Sequence, residues 1–143
     1  MEPDRATLNA YLELAESKVL VLDADSSIRL INRKGCELLG YRPEELHGRN
    51  WYDTCVPECL RRGMQARCLQ IMDGEIELPA YFENPVLTRD GTERLFAWRN
   101  ALLTDESGRT TGTISVCEDI TDRKRAEEEL RRHSNGLALL NRV

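Results

Sequence analysis

The amino-acid sequence predicts an α+β fold, in which a five-stranded antiparallel sheet carries short helices on one face. Two features of the chain support this prediction. Two short β-rich runs lie near the N-terminus and three longer ones follow residue 78, and short polar turns join the runs within each group. The stretch between the groups contains closely spaced helix start and stop signals. Helices that short are unstable alone, so we expect them to pack on the sheet.

The N-terminal part predicts a helix followed by a hairpin. Residues 1–18 read as an amphipathic helix, one face of which must pack on the domain or on a second copy of the chain. Its apolar residues at helical spacing are Leu8, Tyr11, Leu12 and Ala15. The apolar run 19–22, the turn 23–27 and the strand 28–31 then form the hairpin.

Four helical segments follow the hairpin. Asn32 is a suitable N-cap for the first helix, and Gly40 ends it. Pro43 opens a second helix at its first turn, and 51–57 is a further turn-and-helix segment. The longest helix of the domain is predicted over 58–72, where Leu, Met and Cys residues form a stripe typical of a core.

Three strands complete the predicted sheet, over 78–88, 93–104 and 110–118. The turns between them contain Gly91 and Gly108, at positions where a positive φ angle is expected. Short turns of this kind join antiparallel neighbours, so these three strands form a meander.

Length and charge limit the classes of function. The chain has 143 residues, the usual size of one domain, and a formal net charge of −5. The negative charge disfavours a nucleic-acid partner, because phosphate binding needs clustered Lys and Arg. No apolar run approaches the length of a membrane span, and the first residues lack the pattern of a secretory signal. We expect a cytoplasmic domain without direct membrane contact.

Local phrases along the chain are similar to those of PAS sensor domains. Each phrase is weak alone, but together, from about residue 19 to residue 124, their order and spacing are specific. The phrases are Asp23-Ala24-Asp25, Ile31-Asn32, Cys36-Glu37-Leu38-Leu39-Gly40-Tyr41, Pro43-Glu44-Glu45-Leu46, Gly48-Arg49-Asn50, Asp90-Gly91, Trp98-Arg99-Asn100, Asp105 with Gly108, and Glu118-Asp119-Ile120-Thr121-Asp122-Arg123-Lys124. The chain resembles a PAS domain of bacterial signalling proteins.

The resemblance implies a strand order of 2-1-5-4-3 and a PAS domain over residues 19–121, flanked by the N-terminal helix and by a signalling helix over 122–143. It also implies a pocket between the sheet and its helices. The candidate pocket residues, chosen by alternation and by the resemblance, are Cys36, Leu39, Phe82, Asn84, Phe96, Trp98, Asn100 and Cys117. The alternative, that these side chains simply fill a core, stays open.

The sequence leaves the ligand unknown, with no bound cofactor as the leading expectation. Cysteinyl-flavin photochemistry is disfavoured, because Trp51 stands where the resemblance places the reactive thiol. Haem c is disfavoured by the absence of a CxxCH motif, and the long helix 58–72 has no His to hold haem b. A non-covalent flavin or a small organic ligand stays open, since Trp98 and Asn100 could stack on and bond a ring.

The sequence favours neither a metal site nor an enzyme. Its five cysteines form no CxxC pair, and the only histidines are His47 and His133. No Gly-rich phosphate loop appears, and neither histidine lies in a phosphoacceptor or catalytic context. We expect no catalysis by this domain itself, although the parent protein can be a kinase or a cyclase.

The C-terminal segment predicts a joint and a coiled-coil seam. Asp119, Ile120 and Thr121 form the joint between the last strand and the exit helix, with Asp119 and Thr121 as its capping residues. The seam residues recur at steps of four and three and are Ala126, Leu130, His133, Leu137 and Leu140, with an expected interruption at 134–136. The seam is too short for a stable isolated coil, so a homodimer must draw on other surfaces, and packing of this helix on its own domain is the alternative.

These features predict a sensory or interaction module of a larger signalling protein of the sensor histidine kinase or diguanylate cyclase type. A change in the pocket or in the dimer would pass through the joint to the exit helix and to an output domain of the same chain. The alternative is a ligand-free dimerisation scaffold.

Overall fold

The structure, a computed structural model, describes residue 10 and residues 16–140, without the side chains of residues 136–140. The predicted N-terminal helix, with Leu8, Tyr11, Leu12 and Ala15, lies almost entirely outside the described residues. The described elements, in chain order, are β1 (Lys18–Asp23), β2 (Ile28–Ile31), α1 (Arg33–Leu39), α2 (Pro43–Leu46), α3 (Trp51–Cys55), α4 (Glu58–Met72), β3 (Tyr81–Leu87), β4 (Glu93–Thr104), β5 (Thr110–Asp119) and α5 (Thr121–Leu140). Lys18 belongs to β1 and not to a helix.

The five strands form one sheet in the order β2-β1-β5-β4-β3, with every neighbouring pair antiparallel. The predicted fold class and strand order are therefore confirmed. Strand β3 begins at Tyr81 and not at the predicted residue 78. Pro79 has no N–H for the strand ladder, and its carbonyl accepts a hydrogen bond from the Asn100 side chain instead (3.1 Å). Pro85 lies inside β3, which is tolerated because β3 is an edge strand.

Asn32 fastens the first helix to the first strand. Its fully buried side-chain oxygen accepts the N–H of Gly35, which caps α1, and the N–H of Val19 in β1, both at 3.0 Å. Its amide nitrogen donates to the Ser17 carbonyl (2.7 Å). Gly40 ends α1 with φ = 84°, as its position in the sequence predicts.

The core lies between one face of the sheet and the helices α1 to α4. Alternate residues of β1, β4 and β5 point toward these helices and are joined by Ile28, Leu39, Leu46 and Val56. A gap on this inner face, between α4 and the sheet, is the cavity described below.

The exit helix α5 starts at Thr121, one residue before the predicted boundary, and continues to Leu140. The expected interruption at residues 134–136 was wrong, because the helix passes through them without a break. A single mid-helix Gly costs only about 1 kcal/mol relative to Ala, and the strong helix formers around it outweigh that cost.

Candidate functional site: a cavity and the exit joint

A cavity of about 360 Å³ lies between the inner face of the sheet and the helices α3 and α4. This volume is within the range of small-molecule sites in proteins. Its wall is mostly apolar, with Leu20, Trp51, Leu60, Met64, Phe82 and Trp98 among the lining residues. The Trp51 and Trp98 rings meet edge to face, with centroids 5.5 Å apart. The shape and the apolar wall suit an organic molecule of modest size.

Uncharged polar side chains of the sheet interrupt this apolar wall, among them Asn84, Asn100, Thr113 and Ser115. The Ser115 hydroxyl donates to Asn100 Oδ1 (2.6 Å), and the Asn100 amide donates to the chain before β3, so Asn100 is held on both sides. The Asn84 amide donates only to the Met64 sulfur (3.6 Å), a weak acceptor. The wall thus combines a fixed polar pair with a loosely held amide.

The structure brings half of the predicted pocket residues to the cavity wall. Phe82, Asn84, Trp98 and Asn100 line the cavity. The other four lie in the packed core outside the wall: Cys36, Leu39, Phe96 and Cys117. All eight side chains point into the space between the sheet and the helices. A ligand-binding role for any of them stays a prediction.

Sequence reasoning missed several lining residues. Thr113 and Ser115 lie on the same face of β5 as Cys117, so the alternation that selected Cys117 also indicates them. Met64 and Leu60 belong to the α4 stripe, which the sequence assigns to a core. That stripe and the sheet are too far apart to close on each other completely, and the sequence carries no local signal for such a gap.

The buried thiols of Cys55 and Cys117 are neutral at physiological pH. Burial raises the pKa of Cys117 to about 12, and burial raises the pKa of Cys55 to about 12 as well, with a smaller effect of the neighbouring Cys36. Neutral thiols are poor nucleophiles and poor metal ligands. Among the described residues, no group of three or more His, Cys, Asp or Glu side chains is arranged to hold a metal ion.

The exit joint is fastened to the start of β4. Arg94 Nε donates to Asp119 Oδ2 (2.7 Å), and the other carboxylate oxygen of Asp119 accepts the N–H and the hydroxyl of Thr121 (3.0 and 2.6 Å). The Thr121 hydroxyl oxygen accepts the N–H of Leu95 (2.8 Å), and the Ile120 N–H donates to the Leu95 carbonyl (2.8 Å). The joint is thus held by two adjacent residues of β4.

The electrostatics of the joint favour an ionised carboxylate. Burial of Asp119 opposes ionisation, but the hydrogen bonds from Arg94 and Thr121 outweigh it and hold the pKa of the carboxyl below its ordinary value. Ile120 is almost fully buried at 1% exposure, and its carbonyl accepts the N–H of Lys124 (2.9 Å), the first turn of α5. The predicted joint residues therefore contact one another, and the sequence did not indicate Arg94 and Leu95 as their partners.

Charged side chains connect α5 to the sheet beyond the joint. Lys124 Nζ lies 3.3 Å from a carboxylate oxygen of Glu83 in β3, and the Tyr81 hydroxyl donates to the same carboxylate (2.7 Å). Arg123 lies 3.7 Å from Glu118 at the end of β5. The first turn of the exit helix thus contacts β3, whose inner face lines the cavity.

The predicted seam residues described in the structure point to solvent. Ala126, Leu130 and His133 are exposed, and Leu130 is 66% exposed. The side chains of Leu137 and Leu140 lie outside the described residues. Within the described part of the chain, no helix is both long and apolar enough to cross a membrane.

A single antiparallel sheet, a layer of short helices over an internal cavity and an exit helix fastened to the sheet define a one-sheet α+β domain with a ligand-sized interior. Residues 12–125 match the family model described as the PAS fold, which is most of the chain. The chain belongs to the PAS-fold family, and the resemblance noted from its sequence is confirmed. Domains of this family are sensory modules and do not themselves carry out catalysis.

Among curated proteins, the "Two-component system protein A" of Emericella nidulans is 31% identical over 113 residues. The match covers 76% of this chain but only 16% of that protein. Solved structures of PAS domains share the fold, and two of them illustrate the similarity. The PAS domain of Bordetella pertussis BvgS has a TM-score of 0.66 at 18% identity, covering 92% of this chain and 96% of that chain. The PAS domain of the Cronobacter turicensis quorum-sensing receptor RpfR, in complex with BDSF, has a TM-score of 0.61 at 24% identity, covering 75% and 96%.

Proposed function

We propose that this chain is the sensory module of a larger two-component signalling protein, and that a change in its cavity or in its dimer reaches an output domain through Asp119, Ile120 and Thr121. The parent would be a sensor histidine kinase, in line with the two-component relative, or a diguanylate cyclase. The domain would work in the cytoplasm as a homodimer, without a nucleic-acid or membrane partner and without catalysis of its own.

The observation that carries this proposal is that the cavity wall and the exit joint share the same two strands. Trp98 of β4 lines the cavity, and Leu95, three residues earlier, bonds to Ile120 and Thr121. Ser115 of β5 lines the cavity four residues before Asp119. A strand shift that a ligand causes at the wall would therefore move the partners of the joint directly.

A second contact supports the same coupling. Glu83 belongs to β3, the edge strand whose neighbours Phe82 and Asn84 line the cavity, and it contacts Lys124 in α5. An edge strand has a hydrogen-bonded neighbour on one side only, so it shifts more easily than a central strand. Movement of β3 would thus change the first turn of the exit helix.

The test uses output of the parent protein with two matched variants. Asp119→Ala removes the carboxylate that binds Arg94 and Thr121, and it is expected to shift basal output and to abolish the response to a signal. Asp122→Ala changes the same residue type in the first turn of α5, where the side chain is 86% exposed, and it should leave output unchanged. Wild-type output and response from Asp119→Ala would refute the joint model.

A ligand-free dimerisation scaffold is the alternative function, and the exposed seam favours it. Leu130 lies at a seam position and is 66% exposed, so its side chain is accessible to a second copy of the chain. In a homodimer, the seam of one α5 would pack on that of the second copy. Leu130→Glu should shift the dimer to monomer in analytical ultracentrifugation, while Glu129→Ala, outside the seam, should not. An unchanged sedimentation coefficient for Leu130→Glu would show that the seam is not part of the dimer interface.

Native mass spectrometry of the purified chain separates the two functions. A sensory module with an occupied cavity shows an added mass, and an absorbance spectrum reveals a non-covalent flavin. A scaffold shows the bare mass, and it should bind none of the small molecules that fit the cavity.

A further inference from the structure

Two buried polar atoms beside the cavity have no hydrogen-bond partner. Among the described residues, the buried side-chain nitrogen and oxygen atoms that lack a hydrogen-bond partner are Trp98 Nε1 and Asn84 Oδ1. Leaving a buried donor or acceptor unsatisfied costs about 1–3 kcal/mol, and folded proteins rarely do so without a reason. One of these atoms is a donor and the other is an acceptor, and both residues line the cavity.

The two residues lie on one face of neighbouring strands. Trp98 pairs with Phe82 across the sheet, and Asn84 is two residues further along β3, so Trp98 and Asn84 are diagonal neighbours. Diagonal neighbours on one face are about 7–8 Å apart, within reach of a single small molecule. The Trp98 ring is in edge-to-face contact with the Trp51 ring, which lines the same cavity.

The Asn84 amide is free to adapt. Both orphan atoms are fully buried, so a ligand reaches them only after a small side-chain rotation. Such a rotation costs little at Asn84, because its amide donates only to the Met64 sulfur at 3.6 Å. The other interior amide, Asn100, is held by Ser115 and is not available in this way.

The charge of the wall favours a neutral ligand. The charged lining residues are Arg67, which is exposed, and Glu83, which is already bound by Tyr81 and Lys124. The interior polar groups are amides, hydroxyls and an indole, none of which carries a charge. A carboxylate placed among these interior groups, away from the exposed Arg67, would lose its hydration without gaining a cationic partner, which is costly.

We propose that the cavity takes a small, uncharged, largely apolar molecule whose polar edge offers an acceptor to Trp98 and a donor to Asn84, as a cyclic amide does. The apolar body of the ligand packs among Leu60, Met64 and Phe82, and the amide edge satisfies both orphan atoms. This inference rests on the proposed sensory role for its biological meaning, but ligand binding itself requires neither the exit joint nor an output domain.

The test uses probes of matched shape on the purified chain. The probe 2-quinolinone carries the adjacent donor and acceptor, N-methyl-2-quinolinone lacks the donor, and dodecanoate is an anion with an apolar tail. The chain has two tryptophans, so a Trp51→Phe sample assigns the Trp98 indole N–H signal in a ¹H–¹⁵N spectrum. We expect 2-quinolinone to shift that signal downfield and to bind about tenfold more tightly than its N-methyl analogue, since one hydrogen bond is at stake.

Matched variants locate the two contacts. Trp98→Phe keeps an aromatic ring without the donor, and Asn84→Leu keeps the volume without the amide, and each should weaken 2-quinolinone about tenfold. Tyr81→Phe removes a hydroxyl from the other face of β3 and should change nothing. The N-methyl comparison needs no variant, so it stays decisive even if a variant fails to fold.

Three outcomes would overturn the proposal. Tighter binding of dodecanoate than of 2-quinolinone would show that the cavity prefers an anion. Equal binding of the two quinolinones would show that the ligand N–H gains nothing from Asn84 Oδ1, which would remove the donor half of the proposed contact. If neither quinolinone binds and the Trp98 N–H exchanges magnetisation with water, then water is the partner of the two orphan atoms. Binding of 2-quinolinone without any effect on output would contradict the proposed sensory function and leave this inference intact.

Discussion

Replacing Asp119 with alanine should destabilise the chain measurably, because this carboxylate organises the whole exit joint. It accepts a charged hydrogen bond from Arg94 at 2.7 Å and two from Thr121 at 2.6 and 3.0 Å. The substitution removes all three contacts and leaves the Arg94 guanidinium, which is only 28% exposed, without its main partner.

The magnitude follows from the burial of the pair. An exposed ion pair contributes about 0–1 kcal/mol, whereas breaking a fully buried one costs about 3–5 kcal/mol. Asp119 is 14% exposed and Arg94 is 28% exposed, so this pair lies between those limits. We expect a loss of about 2 kcal/mol in the free energy of unfolding, which is a shift of about 7 °C in Tm for a chain of this length.

Urea denaturation followed by circular dichroism measures this loss, with Asp122→Ala as the matched control. Asp122 lies 3.8 Å from the same guanidinium but is 86% exposed, so its removal should cost below about 1 kcal/mol. A double-mutant cycle with Arg94→Ala isolates the pair energy. Hydrogen exchange adds a local reading, because the Leu95 N–H loses protection when Thr121 is released. Equal losses for the two Asp variants, with unchanged exchange at Leu95, would refute the reasoning.

Other predictions concern pH, packing and thiol access. Because the pKa of Asp119 is lowered in the folded chain, its contribution to the free energy of unfolding is present above the unfolded pKa of about 3.9 and is lost as pH falls through the folded pKa. The cost of Asp119→Ala in urea denaturation should therefore be constant from pH 7 to 5 and shrink below pH 4. Gly112→Ala would place a Cβ 2.1 Å from the Leu22 carbonyl oxygen and should lower the free energy of unfolding by about 3 kcal/mol or more. Gly63→Ala, in an open position of α4, should raise it by about 1 kcal/mol. Similar values for the two variants in urea denaturation would contradict the packing argument. Cys59 is the exposed thiol of the five, so one thiol per native chain should react rapidly with Ellman's reagent at pH 8. Cys59→Ser should abolish this rapid reaction.

The architecture was predictable from local signals. The Asn32 cap, the Gly40 stop and the Gly-containing turns each depend on the conformational preferences of a few adjacent residues, and they delimit the elements to within a few positions. The β3 boundary and the continuity of α5 were predicted incorrectly. At the start of β3 a proline carbonyl bonds to a side chain of β4, and in α5 the flanking helix formers outweigh one glycine.

The candidate site was predictable only by face. Alternation indicates which residues of a strand share the inner side, and it correctly groups Phe82 with Asn84 and Trp98 with Asn100 on the cavity wall. It cannot distinguish the wall from the surrounding core, because that depends on how closely α4 approaches the sheet.

The sequence by itself therefore determined the order of the elements, since this follows from periodicity, capping and short turns. The family and the strand order of the sheet came from the resemblance of its local phrases to PAS domains. Only the tertiary structure decided which inner residues face the cavity, that two polar atoms beside it lack partners, and that Arg94 and Leu95 hold the exit joint. These features arise from contacts between segments far apart in the chain, such as Arg94 with Asp119 and Glu83 with Lys124. The pairing of distant segments brings such residues together, and no local pattern encodes it.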